Sequence, residues 1–212
     1  MIVGCSNNQQ CARTLLHFNV ESLPSDAIIS DVQMVLTLAK TDIDDSMMLN
    51  IHQIMSNWTR TDMSTPDGDR DSWQENLAGT AANDGDVTWK WAMYPDTPWM
   101  TEGGDVSPTI LSSVESTKDN SFLFFPMAEE FKTVVTGWID GSIPNYGVLV
   151  KRDNEDPSDS RMRIFFHEVS GNKARRSPKL LITYSSESEP EQKESQPSGP
   201  GIVLPGEPTR PP

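Results

Sequence analysis

The chain holds three histidines, His17, His52 and His167. Each falls in an alternating, strand-like stretch without a Ser or Cys nucleophile motif beside it. Acid–base or nucleophilic catalysis needs such groups placed together, so these imidazoles read as surface or hydrogen-bonded structural groups. Carboxylates are abundant, yet nothing in their spacing singles out two of them as a glycosidase-like pair. The expectation is therefore a protein that is not an enzyme. The most metal-like string is Asp67-Gly68-Asp69-Arg70-Asp71. It resembles the start of an EF-hand loop, but the sixth position is Ser72 rather than Gly and the twelfth is Ala78 rather than Glu, so it is not one. A structural Ca²⁺ site built from loop carboxylates is the metal expectation, with Asp84, Asp86 and Asp105 as candidate ligands.

Aromatic residues suggest a different chemistry. Sugars are recognised by stacking their C–H faces on aromatic rings while carboxylates, amides and Arg bind the hydroxyls. Trp73, Trp91, Tyr94 and Trp99 lie in one polar stretch and are the candidate platform. Trp58, Trp89 and Trp138 are assigned to the core, because large aromatics dominate core burial. For an acidic polysaccharide, Lys90, Lys151, Arg152, Arg161 and Arg163 would supply the counter-charge. Several of these cluster around the turn at Asp153–Ser160.

These residues must be held by a scaffold, and the bulk numbers bound its kind. At 212 residues there is room for one domain of ordinary size. A formal net charge of -14 disfavours nucleic acid and anionic membrane surfaces as partners. No apolar run approaches the roughly 20 residues that span a bilayer. Cys5 and Cys11 either close a small loop in an exported protein or stand as free thiols in a cytosolic one. Asn57-Trp58-Thr59 matches the glycosylation acceptor pattern.

The hydrophobic pattern is that of an all-β protein. Arg13–Val20 alternates, with Leu16, Phe18 and Val20 on one face. Ile28–Leu38 is a long run with Val32, Met34, Leu36 and Leu38 sharing a face, and Met48–Met55 resumes the alternation. Residues 57–121 show no sustained period and are expected to form a long Trp-rich loop, followed by a strand at Ser121–Phe125. Phe131, Val134, Val135 and Trp138 are spaced i, i+3, i+4, i+7, which predicts one short helix stopped at Asp140-Gly141. Tyr146–Lys151, Arg163–Val169 and Lys179–Tyr184 complete the strands. Many short strands joined by turns point to a sandwich spanning residues 1–184. Residues 185–212 shift to Ser, Glu, Pro, Gly and Gln, a composition expected of a disordered linker to other modules of a longer chain.

Five stretches together resemble the disaggregatase-related (DNRLRE) domain family, also classed as carbohydrate-binding module family 96. They are Ala12–Phe18 with Leu23-Pro24; Ile28–Leu38; Trp58-Thr59, Gly85–Trp89, Pro98-Trp99 and Gly103–Asp105; Val135–Val150, with Trp138, Gly141-Ser142 and Pro144–Gly147; and Phe165–Glu168 with Pro178–Tyr184. The resemblance covers nearly all of residues 2–184. It implies a jelly-roll-like antiparallel sandwich in exported, often multi-modular proteins, with carbohydrate binding in characterised members. Family domains begin with a further strand before the position of Gly4, so that strand is expected to be missing here, with Met1 an artificial start that would also remove a signal peptide. Phe166 and His167 depart from the family pattern, which has a small Ser and commonly a basic residue there. The expected function is a non-catalytic carbohydrate-binding module, extracellular or at the cell surface, with a polysaccharide as partner. The alternative is a structural or adhesive module with no sugar affinity of its own.

Overall fold

Alternation along Ile28–Leu38 turns one set of side chains inward: Val32, Met34 and Leu36 are fully buried while Asp31 is exposed. A computed structural model of the protein describes residues 1–6, 10–41, 45–59, 82–117, 122–166 and 176–185. Along the chain the strands are β1 (Ile2–Cys5), β2 (Cys11–Ala12), β3 (Thr14–Leu16), β4 (Ile28–Thr41), β5 (Met47–Ile54) and β6 (Trp91–Met93). They continue as β7 (Thr97–Pro98), β8 (Val106–Ser116) and β9 (Phe122–Phe125), then helix α1 (Glu129–Asp140), then β10 (Val148–Arg152), β11 (Met162–Phe165) and β12 (Lys179–Ser185).

One sheet runs β12-β4-β11-β1-β2, with β9 also paired to β4. Met34 lies opposite both Leu180 of β12 and Phe125 of β9, so those two strands flank β4 on opposite edges. A second sheet runs β3-β10-β5-β8, and the pairings in both are antiparallel. Val3, Val32, Met34, Leu36, Leu123, Phe125 and Phe165 of the first sheet share one core with Leu16, Leu49, Ile51, Leu111, Val148 and Val150 of the second. The protein is thus all-β and sandwich-like, as the alternation implies.

Helix α1 packs on this core through the four residues whose spacing predicts it, Phe131, Val134, Val135 and Trp138, all buried. Glu129 and Glu130 place negative charge in its first turn, which favours the positive end of the helix dipole. Gly141 ends it in the left-handed conformation, and Ile143 N–H donates to the Gly137 carbonyl at 2.9 Å, closing the last turn. A Cβ at Gly137 would lie 2.5 Å from Ile143, so the glycine admits that side chain against the helix.

The structure departs from the sequence expectations in three places. Residues 57–121 are not one loop, because β8 is an eleven-residue strand paired along β5. Register shifts next to His52, together with Pro108 and the buried Ser112 and Ser116, break the period-two signal. Ile2–Cys5 forms a strand between β11 and β2. The stretch at Arg13–Val20 pairs only through Leu16, since the Asn145 side-chain amide donates to the Phe18 carbonyl at 2.9 Å and the chain turns at Val20–Leu23. The linker reading of 185–212 falls beyond the described residues after Ser185, as do His167, Trp73 and Asp67–Asp71.

Candidate functional site

The outer face of the four-stranded sheet carries a second, smaller core. Ile54 and Leu149 are buried there against Ala92 and Trp99, with Leu15, Trp58, Val87, Val106 and Tyr146 packed around them. The Trp-containing segment before β8 therefore lies over this sheet face and is held by it. Its backbone is closed by local bonds: Gly85 N–H to Tyr94 O at 2.6 Å, Thr88 N–H to Trp91 O at 2.8 Å, Trp99 N–H to Lys90 O at 3.0 Å and Gly103 N–H to Trp89 O at 2.6 Å. The Thr88 hydroxyl also accepts from Trp91 N–H. Strands β6 and β7 form a small hairpin across this segment.

Two tryptophans are used up by this packing. Trp99 is only 6% exposed, and its indole N–H donates to the Thr88 carbonyl at 3.0 Å. Trp58 donates likewise to the Tyr146 carbonyl at 2.7 Å. Trp99 thus anchors the segment instead of presenting a face to a ligand, which corrects its placement in the platform. Trp91 and Tyr94 are half-buried and meet edge to face, with ring centroids 5.8 Å apart.

Among the described residues the exposed indole is Trp89, which sequence reasoning assigns to the core. It is 39% exposed, and the Arg13 guanidinium stands over its ring at 4.7 Å from the centroid. Arg13 is itself fixed on three sides: Nε and Nη2 donate to the two Glu155 oxygens at 2.8 and 2.5 Å, and Nη1 donates to the Gly103 carbonyl at 2.9 Å. Lys151 approaches the same carboxylate at 4.0 Å. Gly103 has φ +88°, and a Cβ there would sit 2.9 Å from Trp89 Cζ2 and 2.6 Å from Arg13 Nη1. Only glycine fits both the backbone conformation and the space. Beside this ring, the exposed side chains of Lys90 and Glu102 pair at 3.8 Å. Sequence distance hides this assembly, since Arg13 and Glu155 lie 142 residues apart; the one local hint is Trp89-Lys90-Trp91, aromatic and cation in alternation.

The basic residues nominated as counter-charges separate into two groups. Arg152 is 1% and Arg163 0% exposed. Arg163 donates to Ser116 Oγ, Ser116 O, Met162 O and Asp45 O, tying β11 to the end of β8. Arg152 bonds the Asp159 carbonyl at 2.7 Å and its carboxylate. Arg161 forks onto the same carboxylate at 2.8 and 2.5 Å and reaches Ser46 O at 2.7 Å. Held by Arg161 and then Arg152, the Asp159 carboxyl lies well below the usual carboxylate range. Arg152 and Arg161 close the turn at Asp153–Ser160 onto the sheets. Burial with internal partners takes Arg152 and Arg163 out of the set available to an acidic ligand, and the partly exposed Arg161 is engaged by Asp159 and Ser46; Lys90 and the partly exposed Lys151 remain.

The nominated metal ligands do not converge. Among the described residues no three His, Cys, Asp or Glu side chains are grouped to hold an ion. Asp86 accepts from Asn83 N–H at 2.7 Å in a local turn beside Asp84. Asp105 closes a corner instead, with Oδ2 accepting from Ser56 Oγ at 2.7 Å and Oδ1 from Thr101 N–H at 2.8 Å. Burial raises its pKa, but the bonds from Ser56, Thr101 and Met100 outweigh that and lower it. His52, 6% exposed, shares Nδ1 with the Ser107 carbonyl at 3.0 Å. Burial pushes its pKa down, and Lys151 and Arg13 add to that against the bonds to Ser107 and Thr109. Finally, Cys5 and Cys11 are joined by a disulfide across β1 and β2.

Comparison with protein-family models, with curated proteins and with solved structures returns no match for this chain.

Proposed function

We propose that this protein is a non-catalytic, exported carbohydrate-binding module of jelly-roll type, related to the disaggregatase-related family that its sequence resembles. The observation that carries the reading is Trp89: an indole kept partly exposed while Arg13, Glu155 and Gly103 fix its position. A ring held in place in the free protein loses little side-chain freedom on binding, which is the advantage of a pre-organised stacking platform. Lys90 and Glu102 beside it supply a cation and a carboxylate for hydroxyls, and Lys90 with Lys151 suits a uronic-acid polysaccharide. Export is supported by the Cys5–Cys11 disulfide, since such bonds persist in oxidising compartments.

The test is a glycan-array screen of neutral and uronic-acid polysaccharides, run with and without chelator. Binding is expected, and Trp89→Ala is expected to weaken it by about tenfold or more, equivalent to about 1.4 kcal/mol. Loss in chelator would support a Ca²⁺ requirement. Failure to bind any polysaccharide would sink the reading, while binding that survives Trp89→Ala would move the site elsewhere. An adhesive module is the second reading, favoured by Phe122 and Phe124, which stand half-exposed side by side on the outer face of the larger sheet. Exposed aromatic faces of this kind suit packing against another protein surface.

A further inference from the structure

Thr59 carries a hydroxyl that the fold does not use. Its Oγ1 is buried and has no hydrogen-bond partner among the described residues. The backbone beside it is nevertheless anchored, with Thr59 N–H donating to the Ala92 carbonyl at 3.0 Å. A buried polar group without a partner costs stability, and a methyl in its place does not. Valine has that shape, so packing by itself favours Val over Thr at this position. The reason for the hydroxyl lies outside the folded structure.

Asn57, two residues earlier, is the reverse case. It is exposed, it lies in irregular backbone just after β5, and its side chain makes no hydrogen bond to the described residues. Trp58, between the two, is fixed by its indole bond to the Tyr146 carbonyl at 2.7 Å. A large polar group can therefore extend from Asn57 without breaking a hydrogen bond of the fold. Asn57-Trp58-Thr59 fits the pattern Asn-x-Ser/Thr with x other than Pro, and no second triplet in the 212 residues does. So short a pattern gains weight only from its context, a surface segment of a secreted chain. Exposure of Asn57 meets the first condition, and the Cys5–Cys11 disulfide supports the second. The orphaned Thr59 hydroxyl is an independent observation, because glycan transfer needs that group and the fold does not.

We propose that Asn57 carries an N-linked glycan and that Thr59 serves the transferring enzyme, not the packing. The donor is an oligosaccharide held on a lipid through a pyrophosphate. Asn57 Nδ2 attacks the anomeric carbon of the first sugar, and the bond from that carbon to the pyrophosphate oxygen breaks. The lipid pyrophosphate leaves, and the amide gives up one proton. The inference rests on the export reading, since the donor meets the chain in a secretory compartment. It does not depend on what Trp89 binds.

The full chain is translated behind a cleavable secretion signal into endoplasmic-reticulum microsomes, and the products are treated with peptide N-glycosidase. A single discrete increase in apparent mass is expected, matching the single acceptor triplet. Treatment should remove it, with Asn57 recovered as Asp by peptide mass spectrometry. Asn57→Gln and Thr59→Val should each abolish the increase, and Thr59→Ser should keep it. Transfer is read on the translocated chain whether or not a variant folds. The Thr59 hydroxyl is read separately: in protein without glycan, Thr59→Val should melt no lower than wild type. Labelling of free thiols on the same translocated chain tests export by itself. A chain that forms the Cys5–Cys11 bond yet gains no glycan overturns the proposal and leaves the export reading standing, whereas free thiols count against the export reading. The proposal is also overturned if the increase survives in Asn57→Gln, or if Thr59→Val lowers the melting temperature and so assigns the hydroxyl to the fold.

Discussion

Replacing Asp159 by Asn removes the carboxylate that Arg152 and Arg161 share, and the structure sets the size of the effect. Arg152 is 1% exposed and is left with neutral acceptors alone, the Asp159 main-chain carbonyl among them, once the charge is gone. Removing one partner of a fully buried ion pair costs about 3–5 kcal/mol. The Asp159 side chain retains 25% exposure, so solvent reduces the penalty, and about 2–3 kcal/mol is expected. For a chain of this size that lowers the melting temperature by roughly 4–12 °C. Urea unfolding of Asp159→Asn, Arg152→Met and the double variant forms a double-mutant cycle. With the guanidinium replaced by an apolar side chain of similar length, Asp159→Asn should cost much less than in the wild type. Acid adds an independent arm. Because the Asp159 pKa is depressed on folding, its stabilisation is complete above the ordinary carboxylate pKa of about 4 and is lost as pH falls towards the folded value. Asp159→Asn lacks that component of the acid slope. A cost below about 1 kcal/mol, or an equal cost with and without Arg152, would refute the assignment of Arg152 to structure and reopen it as a ligand contact.

Three further outcomes are expected. Gly103→Ala must push against Trp89 and Arg13 and place a side chain at φ +88°, so it should destabilise by about 1–3 kcal/mol and blue- or red-shift Trp fluorescence; wild-type stability and spectrum would contradict the geometry. His52 has a folded pKa below its ordinary value, so the unfolded chain takes up its proton first. Stability should therefore be full above the ordinary His pKa of about 6.5 and decline as pH falls from there, and His52→Gln should remove that part of the slope in pH-dependent melts. Reducing Cys5–Cys11, which closes a loop six residues apart in sequence, should cost about 2 kcal/mol by chain entropy, read as a lower melting temperature in reductant; an unchanged melt would show that β1 and β2 hold without it.

Strands whose burial follows simple alternation were legible in the residues. Val32, Met34 and Leu36 declare the inward face of β4, and the 3.6-residue spacing from Phe131 to Trp138 declares α1, because both signals are local and periodic. β8 was not, because bulges beside its partner and buried serines erase the period that a single strand would show. The candidate site was legible only as a composition of Trp, Lys and Asp. Which tryptophan faces water depends on what covers it: Trp99 is enclosed by Ile54, Ala92 and Leu149 and bonded to Thr88, whereas Trp89 is held open by Arg13 and Glu155. The same holds for charge, since Arg152 and Arg163 look like Lys151 in sequence but are buried with internal partners. Local pattern determines that this chain makes a sandwich-like pair of sheets and one helix. Only tertiary contacts between residues far apart in the chain decide which of its aromatic and charged groups are spent on the fold and which stay available to a ligand.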